Sequence, residues 1–233
     1  MRLRLMATLL LAGSGLSCAS SDSDRKAMQP YPIYSVRPQP NPTPAIPAPF
    51  VTPPPPSVRT YAYELAWYPR GSRLSPRWRH IVIHHSATTA GGARRFDKYH
   101  REENGWDELG YHFVIGNGTD TPDGLVEVGP RWHKQKHGAH CKTPNNYFNE
   151  HGIGICLVGD FTKTKPTPRQ LASLTALIRF LNVQCGIAPD RLTTHHAIKS
   201  STQCPGRHFD LAHLRRAVAY RLAADRPMLA SAP

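Results

Sequence analysis

The apolar positions of the chain fall into short runs divided by polar turns, and the first clear run is Arg79-His80-Ile81-Val82-Ile83-His84-His85-Ser86. Three consecutive β-branched residues in so short a run predict a buried strand rather than a helix, closed by Ser86-Ala87-Thr88-Thr89. After Gly91-Gly92, the residues Ala93, Phe96, Tyr99 and His100 recur at helical spacing, with Gly105 placed as a C-terminal cap. Tyr111 to Gly116 and Leu125 to Val128 read as two strands of a hairpin, joined by a turn rich in Asn, Gly, Asp and Pro. A long irregular region, 129–150, then carries His133, His137 and His140.

Gly152-Ile153-Gly154-Ile155-Cys156-Leu157-Val158-Gly159 is a nearly continuous apolar run, which predicts a central strand. Thr167-Pro168-Arg169-Gln170 combines an N-cap, a first-turn proline and a capping-box glutamine. The helix it opens buries Leu171, Leu174, Ile178 and Leu181 and ends near Gly186. A last helix starts at Asp210, with Leu211, Leu214, Val218 and Leu222 on one face. Strands with helices between and after them predict a single α/β domain over 79–224, preceded by a lead-in segment, 60–78, that lies against it through Tyr63, Leu65, Trp67 and Tyr68. Residues 225–233 are a tail.

Upstream of residue 60 the composition changes. Met1-Arg2-Leu3-Arg4 is a positive start, Leu5 to Leu11 an apolar core, and small residues follow to Ala19, the pattern of a signal peptide over 1–19. Gly15-Leu16-Ser17-Cys18 resembles the lipobox of bacterial lipoproteins, in which the cysteine is acylated; ordinary cleavage after Ala19 is the rival. Of the 23 prolines, 12 fall between Pro30 and Pro56. That density predicts a disordered, semi-rigid tether over 20–59, able to reach ~120 Å at ~3.1 Å per residue. The expectation is an exported protein of the cell envelope, held at the membrane through an acyl anchor on Cys18 or else released beyond it.

The chain of 233 residues carries a net charge of +13, which favours an anionic partner. Its basic residues are scattered rather than interleaved with aromatics, so nucleic acid is not expected. The expected state is a monomer. Five cysteines with no CxxC pair do not form a disulfide framework.

Chemistry concentrates in two histidine pairs, His84-His85 and His195-His196, and in Cys204. Neighbouring strand residues face opposite ways, so one member of each pair is free to face a shared site while the other packs or supports it. Two histidines and a thiolate suit zinc and leave one tetrahedral position open, the mark of a catalytic site. With 13 histidines, chance pairs are also credible, and spacing alone leaves the metal open.

Ile83-His84-His85-Ser86-Ala87-Thr88, Gly110-Tyr111-His112-Phe113-Val114-Ile115, His137-Gly138-Ala139-His140, Ile153 through Phe161, and His195-His196 through Cys204-Pro205-Gly206 occur in this order in one family. The chain from about Arg79 to Leu214 resembles the type 2 zinc-dependent N-acetylmuramoyl-L-alanine amidases, among them phage amidase-type lysozyme and the animal peptidoglycan-recognition proteins. The resemblance implies a central mixed β-sheet flanked by helices, with one zinc ion per chain in a surface groove, held by His84, His195 and Cys204. It makes His85 and His196 supporting residues, Tyr111 and Thr202 catalytic, and His140 a contact for the substrate peptide. Phage members carry lysine at the position of Thr202, and some active animal members carry threonine. Cytoplasmic members that act on anhydromuropeptides carry glutamate where this chain has Cys156, which reads instead as a buried core cysteine.

The implied reaction is hydrolysis of the amide between N-acetylmuramic acid and L-alanine in peptidoglycan or muropeptides. In it, the Tyr111 and Thr202 hydroxyls are candidate donors to the developing oxyanion. The alternative is a recognition module without turnover; recognition members typically lose the cysteine ligand, which this chain keeps as Cys204.

Overall fold

The computed structural model describes residues 65–71 and 73–229, with 223–229 as backbone alone. The expected signal peptide over 1–19 with its lipobox-like Cys18, the expected tether over 20–59, the first part of the expected lead-in segment and the end of the expected tail lie outside the described residues.

Five strands make one mixed sheet in the order β3-β2-β4-β1-β5. These are β1 (His80–His85), β2 (Phe113–Ile115), β3 (Val126–Val128), β4 (Gly152–Leu157) and β5 (Leu192–Thr194). β2 and β3 form the antiparallel hairpin expected from the turn between them, with Phe113 opposite Val128. The remaining pairs are parallel, and β1 sits between β4 and β5. A parallel centre needs cover on both faces, which explains why β1 and β4 read as continuous apolar runs.

The two faces are unequal. Ile81 and Ile83 of β1, Ile153, Ile155 and Leu157 of β4, and Phe113 and Ile115 of β2 belong to the larger core cluster. Two long helices supply its other half through Leu174, Leu177, Ile178, Leu181, Leu214 and Val218. The opposite face carries Val114, Cys156 and Val158, packed with Phe96, Leu109 and Tyr111 into a smaller cluster. Helix α1 (Ala93–Glu102) contributes Phe96 and His100 as its buried residues. Its cap is Glu103 in the right-handed region rather than Gly105. Gly105 takes a left-handed φ of 67° two residues later and reverses the chain, so that Trp106 N–H reaches His100 O at 2.9 Å.

The region 129–150 is less irregular than its sequence suggests. It holds α2 (Pro130–His133) and ends in α3 (Tyr147–His151), each too short to show a helical period. Arg131, 1% exposed, braces it by donating to Leu109 O at 2.7 Å and His137 O at 2.9 Å, and by pairing with Asp107.

Helix α4 (Pro168–Cys185) has both halves of its capping box, Gln170 N–H to Thr167 Oγ1 at 3.0 Å and Thr167 N–H to Gln170 Oε1 at 3.1 Å. It ends on Gly186 at a φ of 67°. Such local chemistry is worth ~1 kcal/mol per cap. The buried Gln170 amide also donates to Ile115 O at 3.2 Å and Val158 O at 2.8 Å, which ties the helix start to the sheet.

β5 and the short helix α5 (His195–Ile198) were not legible as elements. Helix α6 (Leu211–Leu229) is capped by Asp210, whose carboxylate accepts from His213 N–H at 2.8 Å, and it continues beyond residue 224. The lead-in residue Trp67 is buried, edge-on to Phe180 with ring centroids 5.6 Å apart, and its carbonyl accepts from the Trp132 indole at 2.6 Å.

Candidate metal centre

The site lies at the C-terminal end of β1, on the sheet face away from the two long helices. Alternation along β1 sends Ile81, Ile83 and His85 one way and Val82 and His84 the other. The parallel register sets His84 beside Cys156 of β4. His195 comes not from a strand end but from the first turn of α5, which Thr194 caps by accepting from Ala197 N–H. The alternation argument therefore applies to the first histidine pair and not to the second. Cys204 arrives from the loop between α5 and α6.

His84, His195 and Cys204 each offer one ligand atom, and these atoms lie within 4.8 Å of one another. His84 Nδ1 is 3.6 Å from Cys204 Sγ, and the His84 and His195 ring centroids are 4.8 Å apart. His84 thus meets two residues that lie more than 100 positions downstream of it. Two imidazoles and a thiol at this separation fit a metal ion, with one tetrahedral position left over. The cluster is buried rather than laid open in a surface groove: His84 is 1% and Cys204 8% exposed, and only His195 is partly exposed.

Burial, with His195, His140 and His85 close by, pushes the His84 pKa well below the ordinary histidine value. Burial, helped by Lys199 and His85, brings His195 down to about 4. Both rings are therefore neutral near pH 7, the form that ligates metals. Burial pushes the Cys204 thiol up to about 12, against the His85 amide, which favours the thiolate. That amide donates to Cys204 Sγ at 3.3 Å.

The residues expected to support the site touch it through the Cys204 loop. The His85 ring sits on the other sheet face, where Nδ1 accepts from Phe161 N–H at 3.1 Å. His196 holds the loop at two points, its amide donating to Cys204 O at 2.7 Å and its Nδ1 to Thr202 O at 2.6 Å. Thr202 Oγ1 accepts from Cys204 N–H at 3.2 Å, which leaves the hydroxyl proton free to point elsewhere. Tyr111 stands with its ring centroid 5.3 Å from that of His84, and its hydroxyl hydrogen-bonds Cys156. Cys156 is fully buried, and burial raises its thiol pKa well above the ordinary value. All four described cysteines are free, Cys141 and Cys185 included.

His140, expected to touch a peptide, is 7% exposed and has both ring nitrogens engaged. Nδ1 is 3.0 Å from His84 Nε2, and Nε2 is 3.2 Å from Gly152 O. Burial, with His112 nearby, holds its pKa well below the ordinary value. Sequence reasoning missed the cradle around it, made by Asn149, His112, Gly138 and Gly154. The signal was there in Gly154, since a glycine inside an apolar strand marks a close approach.

Comparison with known proteins gives a consistent result. The family Amidase_2, described as N-acetylmuramoyl-L-alanine amidase, matches residues 74–207. The chain is 36% identical over 139 residues to an endolysin of Klebsiella phage KP32, covering 56% of this chain and 81% of that protein. It is 30% identical over 137 residues to an N-acetylmuramoyl-L-alanine amidase of Sus scrofa, covering 54% of this chain but spanning only 21% of that relative's length. Among solved structures, N-acetylmuramoyl-L-alanine amidase LysC from Clostridium intestinale URNW superposes with a TM-score of 0.52 at 29% identity, over 65% of this chain and 93% of that one.

Proposed function

The chain belongs to the N-acetylmuramoyl-L-alanine amidase family, and from that premise we propose that it is a zinc hydrolase acting on the amide between N-acetylmuramic acid and the L-alanine of the peptide stem. The observation that carries this reading is the convergence of His84, His195 and Cys204 ligand atoms within 4.8 Å. A non-catalytic recognition module has no need of that full donor set.

His84, His195 and Cys204 would hold the ion, and zinc suits a mixed imidazole and thiolate set better than the hard cations do. Bound zinc supplies Lewis acidity, acidifying a water to near ~7 and polarising the scissile carbonyl. Substrate approaches the buried site from the side of His195, the partly exposed member of the triad. The Tyr111 hydroxyl turns from Cys156 to donate to the oxygen that becomes negative, and the Thr202 hydroxyl donates its proton to the same oxygen. Both are neutral donors, so this chain meets the charge with dipoles where phage relatives use a lysine. His85 and His196 fix the loop that presents Thr202 and Cys204 together. Water, Tyr111 and His196 are the candidates to protonate the leaving amine.

The domain over 79–224 works outside the cytoplasm, at the cell envelope, where peptidoglycan is found. The signal over 1–19 exports it, acylated Cys18 holds it at the membrane, and the tether over 20–59 lets it reach the wall. A net charge of +13 suits stem-peptide carboxylates. Digestion of purified sacculi tests the reading. Released peptides should carry a free N-terminal alanine without new reducing sugar ends, and release of reducing ends instead would overturn it.

A further inference from the structure

We propose that His140 is a positioning residue for the metal centre: it holds the His84 imidazole in the tautomer protonated at Nε2, so that Nδ1 is the ligand atom. The inference rests on the zinc reading above and adds to it a determinant of metal affinity.

The argument runs along a line of hydrogen bonds. A backbone carbonyl accepts and never donates, so in the contact between His140 Nε2 and Gly152 O, at 3.2 Å, the proton is on His140 Nε2. A neutral imidazole has one N–H, which leaves His140 Nδ1 as an acceptor. The atom facing it at 3.0 Å is His84 Nε2, which must therefore donate. The His84 lone pair is then on Nδ1, the atom 3.6 Å from Cys204 Sγ. The carbonyl of Gly152, the first residue of β4, thus dictates, through two rings, which nitrogen of His84 meets the metal.

The His140 ring is held tightly enough to do this. Asn149 Oδ1 accepts from the amides of His140 and Cys141 at 2.9 and 2.8 Å, and Asn149 Nδ2 donates to Asn146 Oδ1 at 2.8 Å. Gly138 and Gly154 clear the space: a Cβ on either would stand 2.3 or 2.4 Å from His140 Cδ2. The His112 ring meets His140 edge-on with centroids 5.7 Å apart. His112 is itself pinned, accepting from Gly154 N–H at 2.9 Å and donating to Lys136 O at 3.1 Å. Both ring nitrogens of His140 are thus engaged within the protein.

A ligand histidine whose second nitrogen donates to a fixed acceptor binds metal more tightly, and loss of such a partner costs ~10–100-fold in affinity. The test uses the full chain, with zinc affinity measured by chelator competition and the His84 tautomer read in the zinc-free protein by long-range 15N–1H correlation. The wild type should show His84 protonated at Nε2. His140→Phe keeps the ring and loses the acceptor, so zinc binding should weaken ~10–100-fold. His140→Asn returns an acceptor near the place of Nδ1 and should recover most of that loss. A wild-type His84 protonated at Nδ1, or wild-type zinc affinity in folded His140→Phe, would overturn the proposal. The tautomer measurement needs no variant, so misfolding of His140→Phe does not protect the claim. A wild type that binds zinc and cleaves while His140→Phe binds normally sinks only this inference; a wild type that binds no zinc sinks the functional reading.

Discussion

His84 and Cys204 stand 120 positions apart, yet Nδ1 of one lies 3.6 Å from Sγ of the other. The end of β1 and the loop after α5 are thereby joined at a single point, and the backbone amide next to His84 donates to the same sulfur. Neither residue alone signals a site. Together with His195 they form a donor set with a vacant direction, from which the following expectations are derived.

Cys204→Ser removes the thiolate while keeping the size of the side chain. The purified variant should retain less zinc than the wild type after dialysis, measured by elemental analysis. Unchanged metal content would remove Cys204 from the ligand set.

Tyr111→Phe deletes one hydroxyl beside the metal centre and leaves the ligands intact. Loss of a single donor to a developing oxyanion costs ~10²–10³-fold in kcat. Turnover on a defined muropeptide should fall by that factor, with zinc content and melting temperature near wild type. A kcat within a few-fold of wild type would exclude Tyr111 from the chemistry.

Zinc binding should release protons. The Cys204 thiol is pushed up to about 12 in the metal-free protein, and His195 is brought down to about 4. At pH 7 the thiol therefore carries its proton and the imidazoles carry none to lose, so uptake of zinc displaces about one proton. Calorimetry in buffers of different ionisation enthalpy reads this number directly, and affinity should rise with pH. A pH-independent affinity would contradict the thiolate assignment.

Acid should destabilise the fold in a defined window. Burial lowers His85 and His100 to about 4 and His112 to about 3. Their folded pKa values lie below the unfolded value of ~6.5, so between these limits the unfolded chain binds more protons and stability falls as pH falls. Each such histidine contributes up to ~1.4 kcal/mol per pH unit inside the window. The urea midpoint should drop steadily from pH 6.5 toward pH 4; a flat profile would show these rings to be charged or exposed.

Gly154→Ala places a Cβ 2.4 Å from His140 Cδ2. Overpacking of this kind costs ~1–3 kcal/mol. The melting temperature should fall, and zinc affinity should weaken with it because the ring behind His84 is displaced. Wild-type stability would mean that the ring relaxes freely.

What was legible in the sequence was local or periodic. Thr167, Pro168 and Gln170 announce α4 because capping chemistry is complete within four positions, and the hairpin of β2 and β3 is announced by its turn. β1 was readable from its β-branched run, and alternation already separated the tasks of His84 and His85. β5 was not, since Leu192, Thr193 and Thr194 are too few to show a period and become a strand only by pairing with β1. Strand alternation therefore says nothing of the second pair, since His195 opens α5 directly after β5. The burial of the metal site and the engagement of His140 with His84 depend on how α5 and region 129–150 fold over the sheet, which no spacing encodes. Gly138 and Gly154 were the visible trace of that contact.

Mass analysis of one defined muropeptide, incubated with zinc-loaded and with zinc-stripped protein, tests the central claim most directly. The zinc-loaded protein should convert it to two products, a muramic acid species with a free lactyl carboxylate and an intact stem peptide beginning at L-alanine, and the stripped protein should not. An unchanged substrate mass in the presence of bound zinc, or cleavage at any other bond, would contradict it.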